Sequence, residues 1–161
     1  VEAMIIAGKS ANHKGIPVVL DVCGAGATPY RDQKCSELLD GVAVSVIKGN
    51  SSEIARIAGE SVTTKGVDAS AVEKDLVTIA RNLAGRRGCT VVVTGKEDVV
   101  ADARQAFLVK NGHPMMTNIV GTGCMATSVI GAFAAVEKDP VAASVAASGS
   151  VKAPSAIVTM S

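Results

Sequence analysis

The run Val120-Gly121-Thr122-Gly123-Cys124-Met125 opens an apolar stretch that continues through Ile130 and Phe133. It reads as a glycine turn that delivers a thiol to the first turn of a helix. A helix start holds backbone N–H groups without intrahelical partners and the positive end of the dipole, so it attracts anions. Gly121 and Gly123 let the backbone approach a ligand closely, and the same field favours the thiolate of Cys124. A nucleophile or base beside an anion cradle is the equipment of phosphoryl transfer. A short glycine turn in front of a buried cysteine has the same spelling, so the reading depends on what else comes to the same place.

Three other groups are candidates. Asp21 closes the apolar run Ile16-Pro17-Val18-Val19-Leu20 and precedes a glycine loop, Gly24-Ala25-Gly26-Ala27-Thr28-Pro29-Tyr30-Arg31. A carboxylate there suits Mg²⁺, directly or through water, or a substrate hydroxyl; it equally suits a loop cap. Asn50 and Glu53 form N-x-x-E at a helix start, a spacing that fits water-mediated Mg²⁺ near a nucleotide and also a variant capping box. Lys48, just before them, neutralises phosphate or snorkels. Thr94-Gly95 follows Val91-Val92-Val93 and offers a hydroxyl and a backbone N–H to a phosphate or ribose, unless it is a simple turn. His13 and His113 have no partner at ligand or triad spacing and read as structural.

These groups need elements to carry them, and the pattern alternates helix with strand. Helices are predicted over residues 1–14, from just after Arg31 through Leu39, from Ser51 to near Gly59, over 69–84, from the Gly121 turn to about Val136, and from Pro140 to roughly Ala147. Strands are predicted over 16–22, 42–47 and 89–94, with two shorter ones near 98–101 and 105–109. Residues 60–68 read as a surface connection. The expected architecture is α/β, with a mostly parallel central sheet covered on both faces and the ligand at the carboxyl ends of the strands. All four polar and glycine clusters fall on that rim.

Composition narrows the ligand. The 161 residues make one domain with a substantial core, and 16 basic against 15 acidic side chains, in no long block, leave no footprint for nucleic acid or acidic lipid. Two Phe, one Tyr and no Trp argue against base-stacking or sugar-stacking platforms. A small, locally anchored ligand is expected. Cys23, Cys35, Cys89 and Cys124 form no C-x-x-C pair, which disfavours zinc and a disulfide scaffold and fits a reducing, cytoplasmic setting. No secretory leader or apolar run of about 18 residues is visible, so no membrane is expected. The Gly24 loop lacks the third glycine of a dinucleotide fingerprint, and no P-loop is present.

Taken together, the strings resemble the hydroxyethylthiazole kinase family, thiamine-salvage members of the ribokinase-like superfamily. The matching stretches are Pro17 to Asp21 with Gly24 to Arg31, Ile47 to Ile54, Val93 to Asp98, and Asn111 to Met116 leading to Gly121 to Met125. The resemblance implies a three-layer αβα ribokinase-like fold and ATP- and Mg²⁺-dependent phosphorylation of the primary alcohol of 4-methyl-5-(2-hydroxyethyl)thiazole. It implies Cys124 as the catalytic residue facing the substrate hydroxyl. Gly121, Thr122 and Gly123 would form the anion hole, with Gly121 also touching the thiazole alcohol. Lys48 and Thr94 would serve the ATP phosphates, and Glu53 and Asp21 the metal. A homotrimer with thiazole bound between subunits is implied as well.

Departures accompany the match. The family commonly has Asp-Pro-Val where this chain has Asp21-Val22-Cys23, and often Arg in place of Lys48, which cannot form a bidentate phosphate fork. The family's domain is considerably longer, so residues 1–161 read as a single kinase domain that is partial at its amino end and at its tail from Ser148. The competing expectations are a hydroxymethylpyrimidine-type kinase, disfavoured by cysteine after Gly123, and a catalytically inactive nucleotide-binding fragment.

Overall fold

The computed structural model describes residues 1–60, 69–110, 112, 116, 118–152 and 157–160. In chain order the elements are α1 (Glu2–His13), β1 (Val19–Asp21), α2 (Pro29–Gly41), β2 (Val46–Asn50), α3 (Ser51–Ala58), α4 (Ala69–Arg87), β3 (Thr90–Thr94), β4 (Asp98–Ala101), β5 (Ala106–Lys110), α5 (Thr122–Ala134), α6 (Pro140–Lys152) and β6 (Ile157–Met160). The predicted connection at 60–68 and the turn holding His113 lie largely outside the described residues.

Among the described residues six strands form one sheet in the order β1, β2, β3, β4, β5, β6. The α/β class stands, but the sheet is mixed where a mostly parallel one is expected. β1, β2 and β3 are parallel, whereas β3 to β6 run antiparallel to one another. The physical reason is connection length: α2, and then α3 with α4, cross over between the first three strands, while the three- and four-residue links after β3 and β4 permit only hairpins. β6, pairing with β5, is a strand the sequence reading does not contain.

The strands of the parallel half start later than their apolar runs suggest. Pro17 has no N–H to give a ladder, and β1 is confined to Val19–Asp21. Val42 donates to Leu38 O and ends α2, and the Asn12 side chain donates to Ala43 O and accepts from Ala43 N, both at 2.8 Å. Residues 42–44 are thereby tied to helices, and β2 runs from Val46 through Asn50, past its predicted end at Ile47.

Alternation along the strands divides the core into two. Ile47, Val91, Val93, Val99 and Ala101 pack with Leu38 and Leu39 of α2, Ile54 of α3 and Ile79 and Leu83 of α4. Val46, Val92, Val100 and Val109 point the other way, against Ile130 of α5 and Val141 and Ala147 of α6. This is three layers, helices on both faces of the sheet. Each fully buried side chain such as Ile54, Leu83 or Ile130 contributes about 1.5–3 kcal/mol through removal of apolar surface from water. The period of two also decides the site: with Leu20 and Ile47 on the α2–α4 side, Asp21 and Lys48 face α5.

Candidate active site

Asp21 and Lys48 are register partners on β1 and β2, and the parallel pairing sets them side by side under the start of α5. Lys48 Nζ donates to Asp21 Oδ2 at 3.1 Å, with the lysine side chain 5% and the aspartate side chain 16% exposed. The snorkelling alternative for Lys48 is therefore excluded, since its ammonium ends inside the protein. Thr127, one turn into α5, gives Asp21 Oδ2 a second hydrogen bond at 2.8 Å. Its hydroxyl also lies 3.1 Å from Gly123 O, but a single proton goes to the nearer, charged acceptor. Thr127 joins the candidate cluster through this contact and is absent from the motif reading; the helical spacing from Gly123 and Cys124 is the signal that could have found it.

Above this pair stands the glycine turn. Gly121 is the N-cap of α5 with φ of 93°, a conformation L side chains rarely adopt, and it has no neighbour within 4 Å of where a Cβ would stand. A Cβ on Gly123 would come within 3.0 Å of Lys48 Nζ. The lysine charge thus sits directly beneath the first turn of α5 and adds to the positive end of its dipole. Thr122, Gly123 and Cys124 are the first three residues of α5, the positions whose N–H groups have no intrahelical acceptor. Cys124 is exposed and, together with Pro17, Val19, Asp21, Cys23, Thr127, Ser128 and Gly131, lines a cleft of about 440 Å³ along the free edge of β1.

The other clusters join this one through hydrogen bonds. Glu53 Oε2 accepts from Asn50 N at 2.7 Å while Asn50 Oδ1 accepts from Glu53 N at 2.9 Å, a complete capping box. Its second oxygen accepts from Gly24 N at 2.8 Å. N-x-x-E is therefore a structural clamp that ties β2 to the loop after β1, and each carboxylate oxygen keeps a further lone pair. Gly26 N donates to Asp32, which Arg56 of α3 also engages at 2.7 Å, closing the Gly24 loop over the same corner. The guanidinium, and then the Gly26 N–H, hold the Asp32 carboxyl below its ordinary range. Thr94 lies at the end of β3 and donates to Gly49 O at 3.3 Å. Gly95 N, expected to be open to a ligand, donates instead to the buried Asp98 at 2.9 Å. The turn reading thus prevails for Gly95, and the Thr94 hydroxyl already has an acceptor.

One atom of the cluster lacks a partner. Asp21 Oδ1 is buried and, among the described residues, accepts no hydrogen bond. An orphaned carboxylate oxygen costs about 1–3 kcal/mol or more unless a cation or hydroxyl meets it. That oxygen fits a hard cation such as Mg²⁺, and the lone pairs left on Glu53 fit one through water. Among the described residues no three His, Cys, Asp or Glu side chains gather closely enough to hold a metal. Phosphate and water oxygens would have to complete the shell, as is usual for Mg²⁺. The thiol of Cys23, at the same corner, is pushed up by burial and then by the charges of Asp21, Glu53 and Cys124, against the pull of Lys48. A larger depression of about 950 Å³ opens at the amino ends of the strands, beside Ser45, Thr90 and Pro140, and contains none of these groups.

The arrangement matches known proteins throughout its length. The family model described as "HK: Hydroxyethylthiazole kinase family" covers residues 1–159. The chain belongs to the hydroxyethylthiazole kinase family. A hydroxyethylthiazole kinase of Methanosarcina acetivorans is 48% identical over 139 residues, 86% of this chain and 53% of that protein. One from Desulfatibacillum aliphaticivorans is 48% identical over 147 residues, 91% of this chain and 55% of its own length. The chain thus spans about half the length of the curated relatives it matches. Among solved structures, a hydroxyethylthiazole kinase protein from Pyrococcus horikoshii superposes with a TM-score of 0.80 at 38% identity, covering 91% of this chain and 53% of that one. A Staphylococcus aureus pyridoxal kinase in complex with AMP-PCP and pyridoxal gives a TM-score of 0.71 at 15% identity over 99% of this chain and 69% of its own, which supports the ribokinase-like fold alone. Among the described residues no helix is long and apolar enough to cross a membrane.

The Thr127 contact makes a direct prediction. Thr127→Val removes the hydroxyl at nearly constant shape and is expected to lower unfolding free energy by about 2 kcal/mol, the size of a hydrogen bond to a charged group. Thr127→Ser keeps the donor and loses only a methyl, so urea titration should place it well above the valine variant. Equal midpoints for the two would remove Thr127 from the Asp21 cluster.

Proposed function

We propose that the protein to which this chain belongs phosphorylates the primary alcohol of 4-methyl-5-(2-hydroxyethyl)thiazole with ATP and Mg²⁺, and that residues 1–161 form part of one ribokinase-like kinase domain. The observation that carries the reading is the α5 turn, Gly121 to Cys124, set over a buried lysine and an aspartate with one unpartnered oxygen. Family membership supports the thiazole alcohol over a pyrimidine alcohol.

In this reading Gly121, Thr122 and Gly123 present N–H groups to the transferring phosphoryl, and Lys48 beneath them offsets its charge with the hydrogens not held by Asp21. Phosphoryl transfer asks chiefly for such positioning and charge stabilisation. Cys124 stands at the mouth of the cradle as the modest base toward the alcohol, with Gly121 beside the same oxygen. Asp21 and Glu53 would hold Mg²⁺, whose chemistry when bound is neutralisation of phosphate charge. Thr94 would help seat the nucleotide phosphates by turning its hydroxyl from Gly49 O. We assign the thiazole to the interface of a homotrimer and the reaction to the cytoplasm as part of the same reading.

The test is phosphorylation of the two alcohols by the whole protein with ATP and Mg²⁺. Phosphate is expected on the thiazole alcohol and not on a hydroxymethylpyrimidine; the reverse preference, or nucleotide binding with transfer to neither, overturns the assignment.

A further inference from the structure

α5 packs on β1, and the short Asp21–Thr127 contact of 2.8 Å pins the two together. Cys23 lies two residues beyond Asp21, in the turn that follows β1, where Ala25 N donates to Val22 O. Cys124 lies three residues, about one helical turn, before Thr127 on α5. The Asp21–Thr127 contact thus brings Cys23 and Cys124 to one cleft. Both are exposed and both line that cleft.

We propose that Cys23 and Cys124 form an oxidisable dithiol at the mouth of the cleft, a modification site for hydrogen peroxide that closes as an intramolecular disulfide. In the first step the sulfur of Cys124 attacks one peroxide oxygen. The O–O bond breaks and an S–O bond forms, so sulfur is oxidised by two electrons to the sulfenic acid while the second oxygen leaves as water with the thiol proton. In the second step the sulfur of Cys23 attacks the sulfenic sulfur. The S–S bond forms, the S–O bond breaks, and the hydroxyl leaves as water with the proton of Cys23. One peroxide is reduced to two waters as two thiols become one disulfide. On the phosphoryl-transfer reading the bond also ties off the Gly121 to Cys124 turn, but its formation requires only the two thiols. The other cysteines serve as internal controls. Cys35 and Cys89 are half-buried and do not line that cleft.

The test is peptide mapping of the chain after equimolar hydrogen peroxide and alkylation, with the monomer isolated on a non-reducing gel. A disulfide joining tryptic peptides 15–31 and 111–138 is expected, about 2 Da below their sum and abolished by dithiothreitol. In Cys23→Ser, Cys124 should instead stop at the sulfenic acid, which a second equivalent of peroxide carries to the sulfinic acid, with no linked peptide. A disulfide to Cys35 or Cys89, a link found only between two chains, or wild-type Cys124 that stops at the sulfenic or sulfinic acid overturns the proposal. None of these results depends on kinase activity, so failure here and failure of the thiazole assay are separate outcomes.

Discussion

Lys48→Met is expected to lower the unfolding free energy of the chain by about 3 kcal/mol, the low end of what removing one partner of a buried ion pair costs. The lysine side chain is 5% exposed and its ammonium lies against Asp21 and beneath Gly123. Its removal leaves the Asp21 carboxylate inside the protein with Thr127 as the donor that remains. The penalty is that of an uncompensated charge more than of a lost contact, so a second change should relieve it. Asp21→Asn in the Lys48→Met background removes the charge, and the double variant is expected to be more stable than the sum of the two single losses. Urea unfolding of the four proteins reads this coupling. Strict additivity, or a Lys48→Met midpoint equal to wild type, would show that the pair is not the foundation of the α5 turn.

The second large effect is expected in turnover of the whole protein. Glu53→Gln should reduce it by about 100-fold, the lower end for loss of an electrostatic group from such a site. The carboxylate accepts from Asn50 N and from Gly24 N with its two oxygens. Glutamine offers one accepting oxygen, and its amide nitrogen opposes the other N–H. Either the start of α3 or the loop after β1 loses its anchor, together with the charge that would face Mg²⁺. Cys124→Ser should lower turnover only about tenfold, or ~1.4 kcal/mol of barrier, because a hydroxyl still occupies the mouth of the cradle. Equal rates for wild type and Glu53→Gln at limiting Mg²⁺ would withdraw Glu53 from the metal.

Much of this was written in local patterns. The start of α5 follows from Gly121 and the apolar run behind Cys124, and α3 from the capping-box spacing of Asn50 and Glu53, because both depend on backbone groups within one turn. The hairpin of β4 and β5 was legible from Asp102-Ala103-Arg104 between two short apolar runs. The true start of β2 was not, because Asn12, 31 residues away in sequence, captures Ala43. β6 escaped for a related reason: four residues of modest pattern become a strand only because β5 offers an edge. The ligand-free alternatives also divided unevenly. Glu53 is a cap and still has lone pairs for a metal, whereas Gly95 spends its N–H on Asp98.

By itself the sequence determined which chemistry is present at the strand ends: a glycine turn, a thiol, a lysine, an amide and two carboxylates, each spelled within a few residues of a predictable helix or strand boundary. Tertiary structure alone decided how they combine. The register of β1 against β2 sets Asp21 beside Lys48, and the packing of α5 brings Thr127 onto the same carboxylate and Cys124 into the same cleft as Cys23. Those contacts join residues up to 106 positions apart, and no local propensity encodes them; they exist because a twisted sheet must bury both faces, and burying the α5 face brings these groups together.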